Sequence, residues 1–298
     1  MKRRHLSLIA PLLLALLVGG LGWTVYAPVR QEQLNHALIA AIKQNDTKKA
    51  LALLAEGADA NSRDMPPQHL SLWRLFIDRL RGKHPAPSVA PTALLLACSW
   101  TEKKGMVAKS PDNPVLVRAL LDRGPALGVK GPYQGRTPLI WAIQRDKTNV
   151  STLLIEKGAN VNATDTNGLT PLILAVRHNN KPLVELLLKR GADVNAVGRI
   201  GYEYFTPLTL ALLSEEDEPT ITRMLLSKGA RVNEGYAWMP LALAIWNDRP
   251  RTMRVLLHYG ADVNINTHMV LVETPLKLAK TMWDKKIVQM LEQAGAKE

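Results

Sequence analysis

A three-residue phrase returns through this chain at nearly fixed intervals, and that periodicity restricts the fold to a stack of similar units. Thr137-Pro138-Leu139, Thr170-Pro171-Leu172, Thr206-Pro207-Leu208 and Thr274-Pro275-Leu276 are full copies, and Met239-Pro240-Leu241 and Thr92-Ala93-Leu94 are degenerate ones. From Thr137 onward the spacings are 33, 36, 33 and 35 residues. A second phrase follows in each unit: Gly158-Ala159-Asn160-Val161-Asn162, Gly191-Ala192-Asp193-Val194-Asn195, Gly229-Ala230-Arg231-Val232-Asn233 and Gly260-Ala261-Asp262-Val263-Asn264. Gly57-Ala58-Asp59-Ala60-Asn61 is an earlier copy, and Gly295-Ala296 falls in phase.

Each residue of the two phrases has a local reason. Thr caps a helix by accepting from an orphan backbone N–H. Pro at the first helical position loses no hydrogen bond and already has a helical φ. Gly ends the second helix in a left-handed conformation. Between them apolar residues fall at helical spacing, as in Leu172, Ala175 and Val176, then Leu183, Leu187 and Leu188, with Asn179 and Asn180 at the turn. A unit is therefore two helices of about ten residues and an extended loop, too short to stand alone because nucleation is costly. Stacking supplies the burial. A chain that is 47% hydrophobic and 21% charged is not globally disordered. With aromatics at only 5%, the core must lean on Leu, Ala and Val, which suits stacked helices better than a β-sandwich.

The run Asp165-x-x-Gly168-x-Thr170-Pro171-Leu172, closed by Gly191-Ala192-Asp193-Val194-Asn195, resembles an ankyrin repeat. The resemblance covers roughly residues 34 to 298, in seven units starting near Leu34, Thr92, Thr137, Thr170, Thr206, Met239 and Thr274. The expected fold is all-α: an ankyrin-type helix–turn–helix solenoid of about seven repeats, preceded by one N-terminal transmembrane helix. The His that follows Thr-Pro-Leu in ankyrin repeats is replaced by Ile140, Ile173, Thr209, Ala242 and Lys277, which removes a polar network between neighbours. His36-Ala37-Leu38 reads as an N-terminal cap, and Lys285, Lys286, Gln289, Glu292 and Gln293 give the last unit a polar outer face.

The N-terminus reads as a membrane signal. Leu6 to Val29 contains no charged residue over 24 positions, enough to cross a ~30 Å hydrocarbon core at ~1.5 Å per residue. Leu6, Leu12, Leu16 and Val18 form its apolar body, Trp23 and Tyr26 sit at the far interface, and Lys2, Arg3 and Arg4 precede it. The positive-inside rule keeps the N-terminus cytoplasmic. Residues 1–30 are thus expected to be a lead and signal-anchor, single-pass in the inner membrane, with residues 31–298 forming a periplasmic repeat domain. Val25-Tyr26-Ala27 resembles a cleavage site, but Pro28 would then begin the mature chain and obstruct the peptidase. A cleaved, soluble exported form is the alternative. The net charge of +12 falls to +9 without Lys2, Arg3 and Arg4, and no basic helical stripe or nucleic-acid motif accompanies it.

Two stretches interrupt the period. Residues 62–91 hold an amphipathic pattern in which Leu72, Leu75, Phe76 and Leu80 share one side. This reads as an extra helix on the first repeats, or as a membrane-surface element acting through residues 70–80. Residues 101–113 lengthen the turn of the second unit with Lys103, Lys104 and Lys109.

No nucleophile elbow, phosphate loop or His-Glu-x-x-His motif is present, so neither catalysis nor a cofactor is expected. The single cysteine, Cys98, excludes an intramolecular disulfide, and no histidines have metal-ligand spacing. Glu215, Glu216, Asp217 and Glu218 read as a solvated turn. The ankyrin resemblance implies non-catalytic protein binding on a concave face of loop tips and first-helix surfaces, by a monomeric scaffold or an inhibitor/immunity protein. It places Tyr133, Arg136, Tyr202, Glu203, Phe205, Tyr236 and Trp238 on loop tips, and Gln144, Arg145, Arg177, His178, Leu213, Ser214, Trp246 and Asn247 along the inner helices. Four of the six Tyr lie in these loops, where small polar residues are the norm, and aromatic side chains are common binding anchors.

Overall fold

The computed structural model describes residues 27, 29–64, 90–99, 112–132, 134–214, 217–235, 239–265, 274–282 and 284–297. The chain divides into two compact units, Met1–Ala126 and Leu127–Glu298.

The first unit contains helices α1 (residues 29–43), α2 (Thr47–Ala55), α3 (Ala93–Ser99) and α4 (Pro114–Leu121). Its core is aliphatic, with Leu38, Ala41, Ala50, Leu54, Leu94 and Leu120 almost fully enclosed. Cys98 is buried among them. Asp46 caps α2 by accepting from Lys49 N–H. Asn113 caps α4 through Oδ1 and donates from Nδ2 to the Thr47 hydroxyl at 2.7 Å, tying the two outer helices together. The insertion after residue 62 leaves and returns at one point. Arg63 and Thr92 form an antiparallel bridge, flanked by Asp64 N–H to Pro91 O and Ala93 N–H to Ser62 O, both at 2.9 Å. The amphipathic stretch at 70–80 and most of the 101–113 insertion lie outside the described residues.

The second unit is built from the helix pairs α5 (Pro138–Gln144) and α6 (Thr148–Glu156), α7 (Pro171–Arg177) and α8 (Lys181–Lys189), α9 (Pro207–Ala211) and α10 (Thr220–Ser227), α11 (Pro240–Trp246) and α12 (Pro250–His258), and α13 (Pro275–Thr281) and α14 (Lys285–Gln293). Thr137, Thr170, Thr206 and Thr274 accept from the N–H three residues on, with Pro at the first turn of each helix. Met239, the degenerate copy, makes no side-chain cap. Asp146, Asn179 and Asp248 hold the left-handed position between paired helices, at φ of 57°, 51° and 51°; Asn and Asp tolerate it better than other side-chain-bearing residues.

The expectation of an all-α chain needs one amendment. Strands β1 (Gly198–Ile200) and β2 (Glu203–Phe205) pair antiparallel, with Gly198 opposite Phe205 and Ile200 opposite Glu203. Gly201, at φ 64°, opens the two-residue turn, where a tight hairpin of the right twist needs a positive φ. This hairpin lies in the interval whose spacing is 36 rather than 33 residues.

The second phrase of the repeat forms a ladder. Asp193 and Asp262 each accept from the N–H two residues on, folding the loop into an Asx turn. The asparagine that ends the phrase then reaches the next unit with both ends of its amide. Asn162 donates to Gly191 O at 3.0 Å and accepts from Asp193 N–H at 2.8 Å. Asn195 does the same with Gly229 O and Arg231 N–H, and Asn233 with Gly260 O and Asp262 N–H. Asn264 accepts from Lys297 N–H at 2.8 Å. Within the first unit, Asn35 and Gln31 on α1 serve the same groups, accepting from Asp59 N–H and donating to Gly57 O. Successive loops are thus joined to one another by asparagine amides.

Among the described residues no helix is long and apolar enough to cross a membrane. The expected anchor residues Leu6, Leu12, Leu16, Val18, Trp23 and Tyr26 lie outside the described residues.

Candidate interaction surface

The expected contact residues fall into three groups. Tyr133, Tyr236 and Trp238 lie outside the described residues.

Arg136 and Phe205 are enclosed rather than presented, which corrects their expected place at loop tips. The Arg136 side chain is 11% exposed, and its Nε donates to Asp165 Oδ2 at 3.2 Å. Asp165 is fully enclosed and takes its remaining bonds from Asn167 and Leu169 N–H at 2.8 and 3.0 Å. The Arg136 guanidinium also lies 5.0 Å from the Trp141 ring centroid. It is a strut between successive loops, because an enclosed carboxylate requires a cation and donors. Phe205 is 8% exposed. The two-residue alternation of a strand turns its ring opposite to Tyr204, toward the adjoining helix α9.

The third group is open to solvent. Tyr202, at the hairpin apex, is fully exposed, and Tyr204 is 49% exposed beside Glu203. Leu213 and Trp246 occupy the same position at the ends of α9 and α11 in neighbouring repeats, 45% and 51% exposed. Arg177 and His178 hold the corresponding place at the end of α7 and are also exposed. Partial desolvation lowers the His178 imidazole below its ordinary value; Asp146 opposes this and Arg177 adds to it. Arg145 is half-buried, 5.5 Å from the Trp141 ring. Ser214 and Asn247 are partly occupied in holding repeats together: Ser214 O accepts from Arg249, and Asn247 Nδ2 donates to Leu212 O at 3.2 Å. The surface therefore runs from basic groups after α5 and α7 to apolar ones at the hairpin, α9 and α11.

Sequence reasoning missed Tyr204, though strand alternation pairs it with Tyr202 on a short exposed hairpin. It also misplaced Asp217. That carboxylate accepts from Arg251 N–H at 2.7 Å, Thr252 N–H at 2.9 Å and the Thr252 hydroxyl at 2.7 Å, capping α12 from the preceding repeat. Desolvation would raise its pKa, but the Thr252 hydroxyl, the two backbone N–H groups and Arg249 together hold it below the ordinary carboxylate value. A cap contributed across repeats leaves no local spacing signal. Glu215 and Glu216 lie outside the described residues.

Among the described residues no cluster of three His, Cys, Asp or Glu side chains could hold a metal ion. The arrangement presents exposed side chains for contact. No curated protein matches the chain. Two family models do: one described as ankyrin repeats in three copies over residues 105–197, and one described as an ankyrin repeat over residues 238–268. Repeats of this kind generally serve as protein–protein interaction modules and are typically non-catalytic. The first match takes in the pairs α5–α6 and α7–α8 with the capped turns at Thr137 and Thr170, and the second takes in α11 and α12; the chain carries ankyrin repeats.

Proposed function

We propose that this chain is a non-catalytic protein-binding module, a solenoid of about seven repeats on a single N-terminal anchor, with its repeats in the periplasm. Its partner contacts the concave side, on the surface formed by Tyr202, Glu203, Tyr204, Leu213 and Trp246, with Arg145, Arg177 and His178 at the basic end. The observation that carries the reading is the exposure of Tyr202, Leu213 and Trp246 in neighbouring repeats. Large apolar side chains held together in solvent mark contact surfaces, and Tyr and Trp are the usual anchors. Tethering is supported by the 24-residue uncharged run and its basic lead. A dedicated inhibitor or immunity protein would hold one exported enzyme at about nanomolar affinity through such an aromatic cluster. A scaffold would bind several partners more weakly.

The test is cross-linking in intact cells followed by capture, comparing wild type with Tyr202→Ala/Trp246→Ala. One exported protein captured by wild type and lost from the variant supports the inhibitor reading. Several exported proteins all lost from the variant support the scaffold. An identical set from both baits refutes the surface.

A further inference from the structure

We propose that the groove between α10 and α12, on the second helices of two neighbouring repeats, binds a multiply charged phosphate group. The groove has a volume of about 630 Å³ and is lined by Arg223, Arg251, Arg254 and His258 with Glu218 and Tyr259, above buried Pro219 and Val255. That volume is in the range of small-ligand sites. It lies apart from the aromatic surface, which is formed by the hairpin and the first helices.

Three observations favour an anion. The arginine side chains are exposed, and among the described residues none has a carboxylate within ion-pair distance. Arg251 and Arg254 are three residues apart on one helix, a like-charged pair that disfavours the helix unless an anion offsets it. Aligned on the glycine that ends each second helix, Arg223 and Arg254 occupy one position in consecutive repeats, where the two preceding repeats carry Glu185 and Thr152. The repeat pattern does not call for a cation there.

The lining carboxylate, Glu218, is already engaged, accepting from Thr220 N–H at 3.1 Å and from the Thr220 hydroxyl. Glu218 stays ionised beside Arg223, and the three guanidinium groups that line the groove outnumber this one carboxylate. Planar guanidinium forks match phosphate oxygens in paired hydrogen bonds, which makes a compact polyanion the fitting ligand. Tyr259, also lining the groove, packs edge-to-face with His258, with ring centroids 5.4 Å apart.

The test titrates the full chain in detergent, at low ionic strength, with inorganic pyrophosphate and separately with glycerophosphoglycerol, a singly charged phosphodiester that represents a lipid headgroup. Wild type is expected to bind pyrophosphate saturably. R223A/R251A/R254A should bind at least about tenfold more weakly, while Lys189→Ala, on an earlier second helix, should match wild type. If the triple variant melts at a lower temperature, Arg254→Gln carries the comparison, with a loss of about threefold expected for one exposed charge. Absence of saturable pyrophosphate binding, equal binding by the arginine variants, or tighter binding of the phosphodiester would each overturn the proposal.

Discussion

Replacing Arg136 with Ala separates a strut from a contact residue. The substitution removes the cation facing Asp165, whose side chain has no solvent exposure. Breaking an enclosed ion pair from one side costs ~3–5 kcal/mol. Here the carboxylate keeps two backbone donors, Asn167 and Leu169 N–H, so the loss is expected at the lower end, about 3 kcal/mol. The Trp141 contact adds about 0.5–1 kcal/mol, partly retained through Arg145 on the same ring. Urea unfolding followed by far-ultraviolet circular dichroism measures the total. Because a repeat array can open locally, hydrogen exchange at the Asn167 and Leu169 amides should accelerate together with it. Asp165→Asn on the Arg136→Ala background should recover part of the loss, since the unpaired charge is gone. A stability change below about 0.5 kcal/mol, the level of an ordinary surface substitution, would refute the strut and return Arg136 to the binding surface.

Asn195→Ala removes one rung of the asparagine ladder, two hydrogen bonds to the next repeat. The groups left behind can hydrate, so a loss of about 1–2 kcal/mol is expected in the same urea titration. Gly198→Ala brings a Cβ within 2.8 Å of Leu169 Cδ2 and 3.2 Å of Gly168 O; overpacking there should cost about 1–3 kcal/mol, read as a lower melting temperature. Asp217 has a depressed folded-state pKa, so its contribution is complete above the ordinary value of 3.8 and is lost as pH falls below it through the folded value. Asp217→Asn should therefore flatten the acid limb of the stability profile; an unchanged acid limb would contradict the cross-repeat cap.

The repeat phrases made the architecture legible because each residue has a local job: Thr170 caps, Pro171 starts a helix, Gly191 ends one. The asparagine ladder was present in the sequence as the invariant last letter of the second phrase, but its meaning needs two repeats at once. Asp217 shows the same limit, since it caps a helix that begins more than thirty residues later in the sequence. Arg136 was misplaced because loop position alone does not distinguish a residue at a tip from one folded under it; its partner Asp165 stands one repeat away. Phe205 was separable from Tyr202 only once strand pairing fixed which side chains alternate inward. Tyr202 was legible from its place in a loop, and Leu213 and Trp246 from the repeat alignment, which puts them at one position in neighbouring units.

The central claim is that the aromatic surface of the second unit binds a protein. Benzoylphenylalanine placed singly at Tyr202 and at Trp246, with Glu185 on a second helix as the comparison site, tests it directly by photocrosslinking in intact cells. The account predicts one or more shared protein adducts from positions 202 and 246 and none of these from 185. The same adducts from all three positions, or none from 202 and 246, would contradict it.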